Sequence, residues 1–196
     1  MDFQDVVRRR RMVRNFEDRP LPPEAVDRIL ANALRGPSAG FSQGFEFLVL
    51  EGKKQTETFW RAVSPDRGWD RMGWPGVYNA PLIVVPLSHK QTYLDRYAES
   101  DKPWQDRDER HWPVPYWHID TGFAALLVLL TAVDAGLGAL FFGLTDPAAF
   151  RAASAIPDAY DPIGAIAIGY PAEDHKSGSL KRGHRPAPSV IHRGGW

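Results

Sequence analysis

The stretch "GFAALLVLLTAVDAGLGALFFGL" at residues 122–144 decides the fold, because it admits two incompatible readings. Its length approaches the ~20 apolar residues that a helix needs to span a bilayer. Asp134 and the Gly136-Leu137-Gly138 break divide it, however. The run therefore reads as a helix from Thr121 to Ala135, hydrophobic nearly all round and hence central, passing into a buried strand over 139–144. "GLGALFFG" at 136–143 superficially matches a dinucleotide fingerprint. That device needs a strand, then glycines, then a helix, and here the order is reversed, so no helix N-terminus would meet a phosphate.

Working outward, "DFQDVVRRR" places Phe3, Val6 and Val7 on one helical face. "LPPEAVDRILANALRG" at 21–36 has prolines where a first helical turn tolerates them, an apolar stripe, and a stop at Gly36-Pro37. "FEFLVLE" (45–51) and "APLIVVPLS" (80–88) read as strands, the second covered on both faces. A helix near 146–155 and a strand at 163–171 follow, and "SVIH" (189–192) could add an extended strand. The order specifies one α+β domain over residues 1–196. The segment from about Phe59 to Trp117 stands apart as a loop-rich excursion holding six of the seven tryptophans. Its rings either cap the core or form a lid over a ligand pocket.

Composition narrows the function. Lys and Arg number 24 against 24 Asp and Glu, and a formal charge of zero speaks against a general nucleic-acid binder. The absence of cysteine removes disulfides, zinc-thiolate sites and thiol nucleophiles. It also fits a reducing compartment. "MDFQDVVRRRR" has no apolar signal-peptide core, so a cytoplasmic location without membrane association is expected. "HWPVPYWHID" at 111–120 brings His111, His118 and Asp120 close in sequence, but their spacing and the intervening prolines do not make a metal site. An acid leading into the central helix suits an N-cap, the expected role of Asp120.

The arginines of "RRRRMVRNF" (8–16) leave three readings open: a solvated helix face, a nucleic-acid patch, or a site for one anion. At helical spacing Arg10 and Arg14 share a face with Arg11 beside it, and three converging guanidiniums repel unless an anion lies between them. Phosphate is the commonest such anion.

"RRRRMVRNFEDRPLPPEAVDRIL" resembles the opening of the flavin-dependent nitroreductase family, an Arg-Arg-Ser-Val-Arg-x-Phe pattern followed by a Pro-x-Glu helix. "GPSAGFSQGFEFLVL" (36–50) is similar to the family's Pro-Ser-x-x-Asn-Ser-Gln-Pro-Trp element, and "NAPLIVV", the 120–144 stretch and "IAIGYPAED…KRGHRPAPSVIH" follow in family order. The resemblance implies a nitroreductase-like α+β fold: a central mixed sheet of four to five strands flanked by helices, a long buried central helix, and an interlocked homodimer. It implies FMN at the dimer interface, with NADH or NADPH as electron donor and a small aromatic, nitro or quinone-type acceptor. By the same resemblance Arg10 and Arg11 hold the phosphate and ribityl end, and Arg14 faces the pyrimidine edge. Pro37, Ser38 and Ala39 of the second subunit line the ring. Backbone at Phe142, Gly143 and Leu144 runs beside flavin N5, and Arg182 and Arg185 complete the phosphate clamp. No dedicated catalytic acid or base is implied.

Three departures stand out. Met12 replaces the family's serine in the cofactor region, Phe41 replaces an asparagine that touches the flavin edge, and Gly44-Phe45 stands where Pro-Trp is common. Phe41 could instead stack in the pocket, and Trp69, Trp74, Trp104 and Trp112 are the candidate substrate wall. Two alternatives remain at this point: a flavin enzyme of the same fold with O2-dependent or dehydrogenase chemistry, and a non-catalytic flavin-binding protein.

Overall fold

The Asp2 carboxylate accepts a hydrogen bond from the Gln4 amide (2.9 Å) and caps α1 (Phe3–Arg9). The helix stops at Arg10, whose φ of −57° and ψ of 118° turn the chain into extended backbone. Next come α2 (Pro23–Ala33), β1 (Phe45–Glu51), α3 (Gly52–Val63) and the short α4 (Gly68–Arg71). They are followed by β2 (Leu82–Ser88), α5 (Lys90–Tyr97), α6 (Tyr116–Asp134), β3 (Gly138–Phe142), α7 (Pro147–Ala153), β4 (Asp161–Pro162) and β5 (Ala165–Gly169). This computed structural model describes residues 1–196.

The five strands form one sheet in the order β1-β2-β5-β3, with β4 also pairing on β2. Every strand pair is antiparallel, which corrects the expectation of a mixed sheet. For β1 and β2 the cause lies in their connection. It runs through α3, α4 and a 3-10 turn at Pro75–Asn79, then returns to the sheet end it left, so Glu51 sits opposite Leu82. The one parallel contact is an isolated bridge between Met12 and Ala139.

β2 is buried throughout, as its unbroken apolar run required, and it feeds both faces of the sheet. Ile83, Val85 and Leu87 pack with Val13, Phe16, Phe59 and Phe150 on one side. Leu82 and Val84 pack with Ile29, Val128 and Ile168 on the other, under α2 and α6. Each such aliphatic side chain contributes about 1.5–3 kcal/mol of burial.

Four expectations change. α6 starts at Tyr116, directly after Pro115, so Asp120 lies inside the helix and is not its N-cap. α6 is also buried along one side only: Phe123 and Leu126 are exposed, as are Phe3 and Val7 of the adjoining α1. By length and composition α6 could cross a membrane, but here it packs on α2 and the sheet. The Trp-rich segment is less loop-like than expected, since α4 and α5 lie in it and α3 runs into it as far as Val63. "SVIH" forms no strand; a 3-10 turn at Ala187–Ser189 precedes exposed coil.

Candidate functional site

Because α1 ends at Arg9, the arginines do not share a helix face. Past Arg10 the chain meets the free edge of β3 at Met12 and Val13, with Val13 N donating to Ala139 O (3.0 Å), and goes on to bridge Pro171 at Phe16. Val13 and Phe16 are buried while Arg10, Met12 and Arg14 are half-buried. The Arg10 guanidinium has no hydrogen-bond or ion-pair partner in the chain, and the Arg14 guanidinium donates only to Met12 O at 3.3 Å. Arg11 points elsewhere. It lines a cavity of about 310 Å³ with Arg9, Val13 and Gly138, and its guanidinium lies 3.9 Å from Asp174. The expected convergence of three guanidiniums is thus reduced to Arg10 and Arg14 on one strand edge, with Arg11 drawn toward a carboxylate.

Met12 explains its own departure from serine. Its thioether accepts from the Phe141 amide (3.4 Å), an edge N–H that β5 does not use, and the side chain packs against both cores. Met12 is therefore turned into the sheet and not toward an anion. Met12→Ser should lower the melting temperature by about 3–6 °C, because a shorter side chain forfeits roughly 1–2 kcal/mol of packing. Thermal unfolding measures this, and an unchanged midpoint would contradict it.

Around Arg14 the aromatic rings form a continuous path. Its Cζ lies 5.0 Å from the Trp74 ring centroid, Trp74 lies 6.3 Å from Trp69, and Trp69 lies 5.8 Å from Phe142. His175 stacks on Trp74 at 4.7 Å with 3° between the planes. Phe142, Gly143, Trp69, Arg71, Met72 and Thr145 share a cavity of about 330 Å³. Gly143 has open space where a Cβ would be, and neither Gly143 nor Leu144 donates its backbone N–H within the chain. A larger cavity of about 420 Å³, lined by Lys53, Glu57, Arg61 and Tyr78 among others, contains none of the expected residues.

A second group forms around the loop after α2. Gly40, Phe41 and Gln43 adopt positive φ (60°, 56° and 55°), and Phe41 is 76% exposed. Positive φ in a non-glycine residue costs about 1–2 kcal/mol, so contacts must enforce it. The Ala39 amide donates to Asp120 Oδ2 (2.9 Å), Gln43 N donates to Ser38 Oγ (2.9 Å), and Arg96 Nε donates to Gly40 O (2.9 Å). Trp104 and Trp112 pack on Tyr97, which in turn abuts Gly40. Arg96 holds the Asp101 carboxyl down at about 2 through their hydrogen bond. That folded value is below the unfolded one, so the pair is fully formed above about pH 4 and is lost as pH falls through about 2. The acids of this segment are largely spent on such pairs, Asp95 with Arg107 and Glu109 with Lys90 among them.

The two groups do not meet. No hydrogen bond, ion pair or ring contact joins Arg14, Trp69, Trp74 and Phe142 to Pro37–Phe41, Trp104 and Trp112. Arg182 and Arg185 belong to neither: both are exposed, and Arg185 donates to Ser189 O (2.6 Å). His111 pairs with Asp106, and His118 bonds the fully buried Ser88 (2.8 Å), so these histidines and Asp120 serve separate contacts. Sequence reasoning missed Asp174, His175, Tyr93 and Arg96. Only "YPAED" after the last strand hinted at the first, since Asp174 also accepts the Arg14 amide (3.0 Å).

A family model described as "Nitroreductase family" matches residues 7–170. A Methanothermobacter thermautotrophicus protein assigned as an NADH dehydrogenase/NAD(P)H nitroreductase is 29% identical over 179 residues, covering 89% of this chain and 80% of its own. A nitroreductase family protein from Clostridium difficile 630 superposes with a TM-score of 0.76 at 21% identity, covering 100% of both chains. A Desulfovibrio desulfuricans chain assigned as a nitroreductase and solved in complex with FMN superposes with a TM-score of 0.72 at 21% identity, covering 100% of this chain and 98% of its own.

Proposed function

This chain belongs to the nitroreductase family, and on that premise we propose that it is an FMN-dependent oxidoreductase taking electrons from NADH or NADPH. The acceptor is a small aromatic of the nitro or quinone type, and the working unit is a cytoplasmic homodimer. The observation that carries this reading is the contact path from Arg14 through Trp74 and Trp69 to Phe142, ending at the free N–H groups of Gly143 and Leu144. The guanidiniums of Arg10 and Arg14, paired with no carboxylate, at one end and open backbone donors at the other suit a phosphorylated, planar, electron-accepting ring.

Bound FMN supplies the hydride-accepting chemistry. Arg10 binds its phosphate end, joined by Arg182 and Arg185 of the exposed tail. Arg14 would hold the pyrimidine edge and supply positive charge there. The backbone at Gly143, with open space in place of a side chain, would hold the N5 edge. Trp69 and Trp74 wall one side and exclude water. Pro37, Ser38, Ala39 and Phe41 of the second subunit close the other, with Trp104 and Trp112 behind them. The second subunit is called for because one chain keeps these groups apart. The exposed Phe3, Val7, Phe123 and Leu126 supply an apolar face for it.

The purified protein should be yellow, or become so with added FMN, run as a dimer, and oxidise NADH or NADPH when a quinone is present. A colourless monomer that takes up no FMN would refute the proposal.

A further inference from the structure

We infer that Asp120 is a positioning residue of this site. From inside α6, its carboxylate holds the loop Ser38–Gln43 in the conformation that presents Phe41 outward. The inference rests on the flavin reading above and deepens it.

Asp120 is 3% exposed and has no cation beside it. Its Oδ2 accepts two hydrogen bonds, from the Ala39 amide and from the Tyr93 hydroxyl, both at 2.9 Å. A buried carboxylate without a counter-charge is costly, and an apolar residue would serve α6 packing better. What this carboxylate secures is a loop that gains nothing for a lone subunit: left-handed at three positions, with a large aromatic ring in water. Strain held at a polar anchor marks a segment whose geometry is needed elsewhere. Burial first, and then the bond to Asp120, push the Tyr93 hydroxyl well above its usual range, so Tyr93 remains a donor at all working pH. Arg96 on Gly40 O and the Ser38–Gln43 bond fix the loop relative to itself and α5. Asp120 supplies the loop's hydrogen bond to the central helix, and so couples it to the body of the subunit.

The test uses the full chain as wild type, Asp120→Asn, Asp120→Ala and Tyr93→Phe. Without flavin, hydrogen exchange of the Ala39 amide should rise about a hundredfold in Asp120→Ala. It should stay within about threefold of wild type in Asp120→Asn, which keeps an acceptor oxygen. With FMN, Asp120→Ala should raise the quinone KM about tenfold with kcat within about twofold, and Asp120→Asn should restore it. Tyr93→Phe should shift both readouts in the same direction by less, and it carries the test if Asp120→Ala does not fold. A released Ala39 amide with unchanged quinone KM and unchanged FMN affinity would overturn the assignment and leave Asp120 a purely structural residue. A wild type that binds no FMN would instead overturn the parent reading, and it is recognised before any variant is made.

Discussion

Replacing Arg10 and Arg14 together by alanine should give a folded protein whose FMN affinity has fallen by at least about a hundredfold. A hydrogen bond to a charged group contributes roughly 1.5–3 kcal/mol. Losing two is worth about 3–6 kcal/mol, which is two to four decades in Kd. The fold should survive because neither guanidinium supports it: that of Arg10 has no protein partner, and Arg14 gives up one long bond to Met12 O and its approach to Trp74. Arg8→Ala is the control, since Arg8 pairs with Asp5 on the exposed face of α1. Arg182→Ala/Arg185→Ala reports on the tail, whose cations lie away from the others in a single chain. Flavin absorbance after dialysis and isothermal titration both measure the loss. Undiminished affinity in the Arg10/Arg14 variant would remove the phosphate and pyrimidine assignments together.

Gly44→Ala should cost the largest share of stability of any single methyl addition near the site. A Cβ at Gly44 would run into the Tyr93 ring and come within 2.9 Å of the His89 carbonyl oxygen. Tyr93 is fully buried and tied to Asp120, so it cannot swing aside, and His89 N donates to Gly44 O (2.9 Å) across the same gap. Overpacking of this kind costs about 1–3 kcal/mol, or a melting temperature lower by roughly 2–10 °C for a chain of this size. Tyr93 likewise occupies the space that a pyrrolidine ring at position 44 would need. A Gly44→Ala protein melting with wild type would show that the ring has room after all.

The sequence was most legible where local pattern and burial agree. The largely apolar stretch "FEFLVLE" located β1 residue for residue, and the unbroken apolar run in "APLIVVPLS" marked a strand covered on both faces. Legibility failed where a distant segment decides conformation. Nothing near Arg10 announces the end of α1; past Arg10 the chain leaves the helix because Met12 and Val13 find the edge of β3, far along the chain. Pro113 and Pro115 read as helix breakers, yet a proline just ahead of a helix is compatible with its start, and α6 begins right behind one. That shift of one turn turned an apparent cap, Asp120, into a buried acceptor. The β-branched residues of "SVIH" favour extension, but within one chain no strand edge receives them. Of the candidate site, the arginine segment and the end of β3 were visible as motifs. The division of the tryptophans into two separate groups, and the stacking of His175 on Trp74, depend on packing that no spacing encodes.

The separation of those two groups has a genetic consequence. In the proposed homodimer each pocket would draw one wall from either molecule, so a lesion in the Arg14 wall and a lesion in the Phe41 wall would fall on different contributors. When two chains bearing one lesion each come together, both defects collect in one pocket and the other is assembled wholly from intact walls. Alleles that are each defective alone would then complement one another, and selection would act on the assembled pair, not on the single polypeptide.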